Sequence, residues 1–110
     1  MGTYYRDIDA GDLDRALAPF AQDCVYERQG HGTIRGEAAL SRFYRSERSI
    51  ETGSHRLEQV LAHGDWVCVR GEFAGVLKTG EEVTLPFTDW FRVRDHTIVY
   101  RQSLFARRAV

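Results

Sequence analysis

The sequence predicts an α+β fold, a cone-shaped barrel in which N-terminal helices pack on a strongly curved antiparallel sheet around one pocket. Apolar residues follow approximate helical spacing within the first 48 residues and alternate with polar residues from residue 55 onward. Turn-forming residues interrupt this second part, as expected between hairpin-linked strands. Helices followed by such strands are typical of a sheet covered by helices on one face.

Three helices are predicted before the strands. Apolar residues approximate helical spacing from Tyr4 to Phe20, and the pattern breaks at Ala10-Gly11. Asp12 is a suitable N-cap for a second helix, which Pro19 is expected to shorten or kink. A third helix is predicted over residues 36–48, with an apolar stripe formed by Ala39, Leu40, Phe43 and Tyr44.

A short strand is predicted at residues 23–27, and a flexible loop follows it at residues 29–32. The remaining pattern has a period of two, which is typical of strands with one buried face. Hairpin-like turn signals separate these later segments, at His63-Gly64-Asp65, Thr79-Gly80 and Arg94-Asp95-His96. The four long strand candidates cover residues 55–61, 66–77, 82–94 and 97–105.

The composition indicates one domain over residues 1–110 and excludes several function classes. The net charge is −1, which does not favour binding to nucleic acid. The chain contains no apolar run of about 20 residues, and its start lacks a secretory pattern, so we expect a cytoplasmic protein without a membrane span. His, Cys and carboxylate residues do not show metal-ligand spacing, so we expect neither a metal nor a cofactor.

Aromatic residues are abundant for a chain of this size, with two Trp, five Tyr and six Phe among 110 residues. Aromatic side chains line many concave apolar pockets in addition to filling cores. The expected partner is therefore a small apolar or polycyclic molecule.

Five stretches carry a family resemblance: residues 9–14 (DAGDLD), 17–27 (LAPFAQDCVYE), 34–40 (IRGEAAL) with Phe43-Tyr44, 86–93 (PFTDWFRV) and 103–105 (SLF). They resemble nuclear-transport-factor-2-like domains, and most of all ketosteroid isomerases and SnoaL-like polyketide cyclases. The resemblance spans nearly the whole chain and implies their barrel fold. It does not select one activity, because this scaffold carries isomerases, cyclases, dehydratases, epoxide hydrolases and binding domains.

The isomerase resemblance implies an oxyanion hole formed by Tyr4 and Asp89, in which both side chains donate hydrogen bonds to an enolate oxygen. Phe87 and Phe91 are two residues away from Asp89 on either side, so the three side chains share one strand face. We expect these rings to raise the pKa of Asp89 and keep it protonated. The alternative is a strand aspartate that contacts an arginine or the backbone. Tyr44 occupies the position of a tyrosine that supports the oxyanion tyrosine, or it is a core residue.

The general base of the isomerases has no clear equivalent. A count without gaps places Arg28 at its position, and a one-residue gap places Glu27 there. Only one of these neighbours is expected to reach the pocket, because successive strand residues face opposite ways. Arg28 cannot act as a base, since arginine keeps its proton in proteins. An inward Arg28 would instead hold an anionic or carbonyl group of the substrate.

Other polar residues are candidates for the same pocket. His55 is a possible base, because histidine ordinarily changes charge near neutral pH, or a structural hydrogen-bonding residue. Arg70 and Glu72 resemble an Arg-x-Asp pair of limonene-epoxide-hydrolase-like enzymes, or form a surface ion pair. Ser103 stands with Gln102 where related cyclases carry an acid, and we include it among the substrate-binding candidates.

These observations together predict a cofactor-independent isomerase, cyclase or dehydratase. Tyr4 and Asp89 would polarise an oxygen atom, Glu27 or His55 would move the proton, and Arg28 would orient the substrate. The resemblance implies a polyketide-, terpenoid- or steroid-like substrate and a homodimer formed through the outer face of the sheet. The alternatives are a non-catalytic ligand-binding or dimerisation module and an epoxide hydrolase that uses Arg70 and Glu72.

Overall fold

The computed structural model describes residues 2–106 of the chain. No helix within this range is long and apolar enough to cross a membrane. The helices are α1 (Gly2–Asp9), α2 (Leu13–Leu17) and α3 (Glu37–Arg42), and a π-helical turn (Phe43–Glu47) extends α3. The strands are β1 (Phe20–Arg28), β2 (Gly32–Arg35), β3 (Ile50–His63), β4 (Trp66–Leu77), β5 (Glu82–Arg94) and β6 (Thr97–Phe105).

The helix signals read from the sequence are confirmed in their main features. The break at Ala10-Gly11 separates α1 from α2, and Gly11 adopts a positive φ of 77°, which glycine tolerates best. The Asp12 side chain caps α2 by accepting a hydrogen bond from the Arg15 backbone N–H. The helix then ends two residues before Pro19.

The six strands form one sheet in the order β2-β1-β6-β5-β4-β3. The expectation of an antiparallel sheet is correct for most neighbours, but β1 runs parallel to β6, so the sheet is mixed. The two edge strands β2 and β3 do not pair with each other, and the cone is therefore open. Alternating patterns predict that a strand exists without specifying its partner, which explains why the parallel pair was missed.

The last three strands have the predicted bounds, whereas β3 begins earlier than predicted, at Ile50. Two register shifts interrupt the pairing of β3 with β4, one between Ile50 and Thr52 and the other between Leu57 and Gln59. Gly71 on β4 approaches the backbone of Arg56 so closely that a Cβ atom at this position would clash. Bulges and close glycine contacts of this kind bend a sheet, and here they accompany its curvature.

The sheet has two chemically different faces. We call the face that carries Val69, Phe73, Asp89, Phe91 and Arg101 the inner face, and each of these side chains is buried. We call the opposite face, which carries Arg70, Glu72, Trp90 and Gln102, the outer face. Helix α1 covers the inner face with buried Tyr4, Tyr5 and Ile8. The predicted sharing of one face by Phe87, Asp89 and Phe91 is confirmed.

Candidate functional site

A cavity opens on the inner face and has two parts. The wide chamber, of about 410 Å³, lies between the β1–β2 connection, the π-helical turn and the ends of β4 and β5. The narrow chamber adjoins it and shares Arg28, Ile50 and Phe105 with its lining. Its volume of about 10 Å³ corresponds to roughly one water molecule. Its polar lining consists of Tyr4, Arg28, Tyr44, Arg48, His55, Asp89 and Arg101.

Asp89 and Arg101 form a buried ion pair beside the narrow chamber. Arg101 Nη2 donates to Asp89 Oδ2 at 2.9 Å, and Arg101 Nε donates to Asp89 Oδ1 at 3.3 Å. Only 1% of the Asp89 side chain and 5% of the Arg101 side chain are exposed. Two parallel hydrogen bonds between a guanidinium and a carboxylate fix both groups in orientation.

The Asp89 carboxylate also accepts hydrogen bonds from the hydroxyls of Ser103 and Tyr5. With the two bonds from Arg101, these donors occupy about four acceptor sites, which is the capacity of a carboxylate. Burial raises the pKa of Asp89, but the charge of Arg101 and the hydrogen bonds from Arg101, Ser103 and Tyr5 lower it below its ordinary value. The expectation of a protonated Asp89 that donates a hydrogen bond is therefore wrong.

Tyr4 and Tyr44 meet on the other side of Arg101. Their hydroxyl oxygens are 2.9 Å apart, and Arg101 Nη1 donates to both, at 2.6 Å for Tyr44. The predicted contact between Tyr44 and Tyr4 is thus present, and the tyrosine that donates to Asp89 is Tyr5. Arg101 connects the carboxylate to the tyrosine pair and determines where both hydroxyls lie.

The two tyrosines of this pair differ in acidity. Burial raises the pKa of Tyr4 well above its ordinary value, and the charge of Arg101 offsets this only in part. Burial also raises the pKa of Tyr44, but Arg101, Arg28, the hydrogen bond with Tyr4 and Arg48 together lower it below its ordinary value. Tyr44 is therefore the more acidic hydroxyl at the narrow chamber.

Of the neighbours Glu27 and Arg28, the arginine faces the cavity. Arg28 Nη1 donates to the Tyr26 hydroxyl at 2.9 Å, and its guanidinium lies over the rings of Phe43 and Phe105. Glu27 lies on the outer face, where it accepts a hydrogen bond from the Tyr100 hydroxyl at 2.5 Å. Because strand side chains alternate, Glu27 cannot serve as a base inside the cavity, and that candidate is removed.

His55 lies at the narrow chamber and is held by Asp9 at the end of α1. Its Nδ1 is 2.6 Å from Asp9 Oδ1, and its backbone N–H donates to Asp9 Oδ2 at 2.8 Å. The ring packs against the aromatic rings of Tyr5, Phe73 and Phe87. A carboxylate at Nδ1 orients the imidazole and favours the tautomer in which Nε2 accepts a proton.

Arg70 and Glu72 do not reach the cavity. They alternate with the buried Val69, Gly71 and Phe73 and therefore lie on the outer face. Glu72 is 3.5 Å from Arg56 of the neighbouring strand in an exposed ion pair. The expectation that Arg70 and Glu72 bind substrate in the pocket is corrected by this placement.

The remaining predicted residues lie on the inner face in different settings. Phe87 lines the narrow chamber, whereas Phe91 packs against the rings of Tyr4 and Tyr5 beneath Arg101. Ser103 is buried, accepts a hydrogen bond from Tyr26 at 2.7 Å and donates to Asp89. Ser103 thus positions Asp89 and does not line either chamber.

Sequence reasoning missed Arg101, Tyr5, Asp9 and Arg48. Arg101 precedes Ser103 by two residues, so strand alternation already placed it on the same face. Asp9 and Tyr5 are one helical turn apart, so α1 presents both toward the sheet. Arg48 follows the π-helical turn and had no sequence signal.

No group of three or more His, Cys, Asp or Glu side chains within residues 2–106 is arranged to hold a metal ion.

The comparisons with known proteins agree with this architecture. The sequence profile described as the SnoaL-like domain matches residues 2–101. No curated protein matches the chain. A hypothetical protein of Catenulispora acidiphila with a ketosteroid isomerase-like fold, solved with trimethylamine, superimposes with a TM-score of 0.81 at 20% identity. The match covers 94% of this chain and 82% of that protein.

Two further solved structures carry names that refer to enzymes. An LEH-like epoxide hydrolase of Mycobacterium tuberculosis has a TM-score of 0.80 at 21% identity, with 94% of this chain and 77% of that protein covered. A provisionally assigned polyketide cyclase of Sinorhizobium meliloti has a TM-score of 0.74 at 24% identity, with 92% and 89% covered. Identities this low show a shared fold and leave the activity open.

Proposed function

The chain belongs to the SnoaL-like domain family, and on that premise we propose that it is a small-molecule enzyme of the isomerase, cyclase or dehydratase type that works by acid–base catalysis. The observation that carries the proposal is the His55–Asp9 pair beside the narrow chamber. An imidazole oriented by a carboxylate is a common general base, and this one lies among aromatic rings.

The proposed reaction begins with proton transfer to His55. Asp9 accepts a hydrogen bond from Nδ1, so the lone pair of Nε2 takes the proton from a carbon next to the substrate carbonyl. The electron pair of the broken C–H bond moves onto the carbonyl oxygen and forms an enolate. Return of the proton from Nε2 to another carbon of a conjugated enolate completes an isomerisation. In a cyclisation, the enolate carbon attacks a second carbonyl, the electron pair of its C=O π bond moves to its oxygen, and that oxygen takes the proton from Nε2.

The enolate oxygen needs a hydrogen-bond donor, and the Tyr4–Tyr44 pair is placed for this role. One hydroxyl of the pair donates to the other, and the second keeps its proton for the substrate oxygen. Both lie at the narrow chamber, and Arg101 fixes and polarises them. Asp89 is a positioning residue in this scheme, because its acceptor sites are occupied and it holds Arg101 in place. This assignment moves the oxyanion function from the pair Tyr4–Asp89 to the pair Tyr4–Tyr44.

The dimensions of the two chambers are consistent with this division of roles. A space for about one water molecule admits a single functional group such as a carbonyl. The wide chamber, of about 410 Å³, lies at the lower end of the usual range for small-ligand pockets. Its Phe43, Phe73 and Phe105 rings favour a flat substrate, for which polyketide-, terpenoid- and steroid-like molecules are the proposed classes.

The experiment follows hydrogen–deuterium exchange at the α-carbon of aromatic ketones such as 2-tetralone, measured by NMR in D₂O. The protein should accelerate exchange, and His55→Gln should lower that acceleration by roughly 10²- to 10⁴-fold. His63→Gln is the matched control, since His63 is an exposed histidine away from both chambers. Exchange that is unchanged in His55→Gln would contradict the assignment of the base.

A non-catalytic ligand-binding module is the second candidate. It is favoured by the occupied acceptor sites of Asp89, which remove the carboxyl-based oxyanion hole of the resemblance. If the protein is such a module, ketones should shift the protein resonances in the same experiment. Their α-carbon hydrogens should then exchange with deuterium at the same rate as in buffer without protein. That outcome would reject the enzyme proposal and retain the cavity as a binding site.

A further inference from the structure

We propose that Arg28 and Arg48 form a binding site for a carboxylate group of the ligand, at the junction of the two chambers. The inference deepens the proposed function by naming a substrate class, and it relies on that function only for the location of the site. Three independent observations lead to it: the environment of each arginine and the balance of charge around both.

Arg28 packs against two aromatic rings but uses little of its hydrogen-bonding capacity. Its guanidinium lies 5.2 Å from the ring centre of Phe43 and 5.0 Å from that of Phe105. A guanidinium has five N–H donors. Within residues 2–106, Arg28 uses one of them, in the hydrogen bond from Nη1 to the Tyr26 hydroxyl. Arg28 lines both chambers, so its remaining donors are placed where a ligand enters.

Arg48 carries a buried donor that the described part of the chain leaves unpaired. Its Nε atom is inaccessible and has no hydrogen-bond partner among residues 2–106. Its guanidinium lies over the ring of Tyr44, 5.4 Å from the centre, and Arg48 lines the narrow chamber. Buried donors are satisfied in nearly all folded proteins, so an unpaired one in a cavity wall calls for an acceptor from outside the described chain, which water or a ligand group supplies.

Positive charge exceeds negative charge at this junction. The narrow chamber is lined by three arginines and one carboxylate, Asp89, which is paired with Arg101. Asp9 lies behind His55, and Glu47 at the wide chamber forms an exposed pair with Arg42 at 3.3 Å. Within the described residues, no carboxylate lies within 4 Å of Arg28 or Arg48.

The charge of Arg28 also acts on Arg48. Burial lowers the pKa of Arg48, and the nearby charge of Arg28 lowers it further, although Tyr44 opposes both effects. A carboxylate between two guanidiniums relieves this repulsion and accepts hydrogen bonds from each. The aromatic rings of the wide chamber then contact the apolar part of the ligand, so an aromatic carboxylic acid of about two rings fits both features.

The test compares 2-naphthoate with 2-naphthamide, which has the same shape without the charge. Calorimetric titration should give roughly 10- to 100-fold tighter binding of the acid to the unmodified protein. Arg28→Met and Arg48→Met should each reduce this ratio strongly. Arg42→Met is the matched control, since Arg42 is an exposed arginine beside the same π-helical turn, and it should retain the full ratio.

Folding of each variant is verified by far-UV circular dichroism, and Arg48→Lys provides a second variant that keeps the charge. Lysine at this position should retain part of the preference for the acid, because it supplies charge without the planar donor pair. Equal affinity for acid and amide, including no binding of either at millimolar concentration, would overturn the inference. Binding is measured without turnover, so this result is separate from the outcome of the exchange experiment.

Discussion

The inner and outer faces of the sheet carry the same ionic groups in opposite environments. On the inner face, Arg101 and Asp89 are 5% and 1% exposed and form two hydrogen bonds. On the outer face, Arg56 and Glu72 are 69% and 41% exposed and lie 3.5 Å apart. An Arg–carboxylate pair in the sequence therefore does not by itself mark a site. Burial and additional donors give the inner pair its structural role.

The two ion pairs also differ in the structural elements that they connect. The inner pair connects α1, the π-helical turn, β5 and β6 through Tyr5, Tyr44 and Ser103. The outer pair connects two adjacent strands that are already hydrogen-bonded along their backbones. Loss of the inner pair should therefore disturb the cavity and the fold together, whereas loss of the outer pair should disturb neither.

The largest expected effect is that of Asp89→Asn on stability. This change leaves Arg101 buried without its counter-charge, and we expect a loss of about 3–5 kcal/mol in the free energy of unfolding. Glu72→Gln on the outer face is the matched control, with an expected change of at most about 0.5 kcal/mol. Urea unfolding followed by circular dichroism measures both, and equal changes in the two variants would contradict the comparison.

A smaller effect is expected for Ser103→Ala. It removes a donor to Asp89 and the acceptor of the Tyr26 hydroxyl, and we expect a loss of about 1–3 kcal/mol. The neighbouring Gln102→Ala tests the opposite face at nearly the same place in the chain. The same unfolding experiment should give a change within about 0.5 kcal/mol for this control. A larger loss for Gln102→Ala than for Ser103→Ala would reverse the roles of the two faces.

The pH dependence of stability should also report on the inner face. The pKa of Asp89 is lower in the folded protein than in the unfolded chain, where it is about 3.9. Its contribution is therefore present above the unfolded value and is lost as the pH falls through the folded value. Urea unfolding at decreasing pH should show a smaller acid-induced loss for Asp89→Asn than for the unmodified protein. An equal loss would assign the acid sensitivity to other groups.

The smallest effect on stability is expected for the apolar part of the outer face, where Trp66, Trp90 and Leu104 are exposed. The homodimer implied by the family resemblance stays a prediction. Trp90→Glu should shift a dimer toward monomer in sedimentation velocity with little change in the circular dichroism spectrum. A monomer in the unmodified protein at high concentration would contradict the predicted dimer.

The sequence predicted the long strands and which residues of a strand share a face, because alternation reflects burial. It left open whether Glu27 or Arg28 faces the cavity, and it did not place Arg70 and Glu72 on the outer face. It did not predict which side chains meet across strands. Asp89 lies directly opposite Ser103 in the β5–β6 register, and Arg101 lies opposite Phe91. That register depends on the irregularity between Arg92 and Val93, which no local pattern announced. The apolar neighbours of Asp89 in the sequence therefore do not determine its protonation state.

Local sequence patterns also did not predict strand β2 or the partner of His55. Strand β2 is only four residues long and begins with Gly32, so it has too few residues to display a period. His55 was identified as a candidate base, but its partner Asp9 is 46 residues away in the chain. Local patterns thus identified individual residues, whereas the pairs that define the site depend on tertiary packing.

The central claim is that Asp89 is an ionised anchor and does not donate a hydrogen bond to a substrate. It is tested most directly by following the side-chain carboxyl ¹³C resonance of Asp89 by NMR as the pH is lowered. We expect this resonance to titrate below the ordinary aspartate pKa of about 3.9. A pKa well above about 6 would contradict the account and restore the protonated carboxyl that the family resemblance implies.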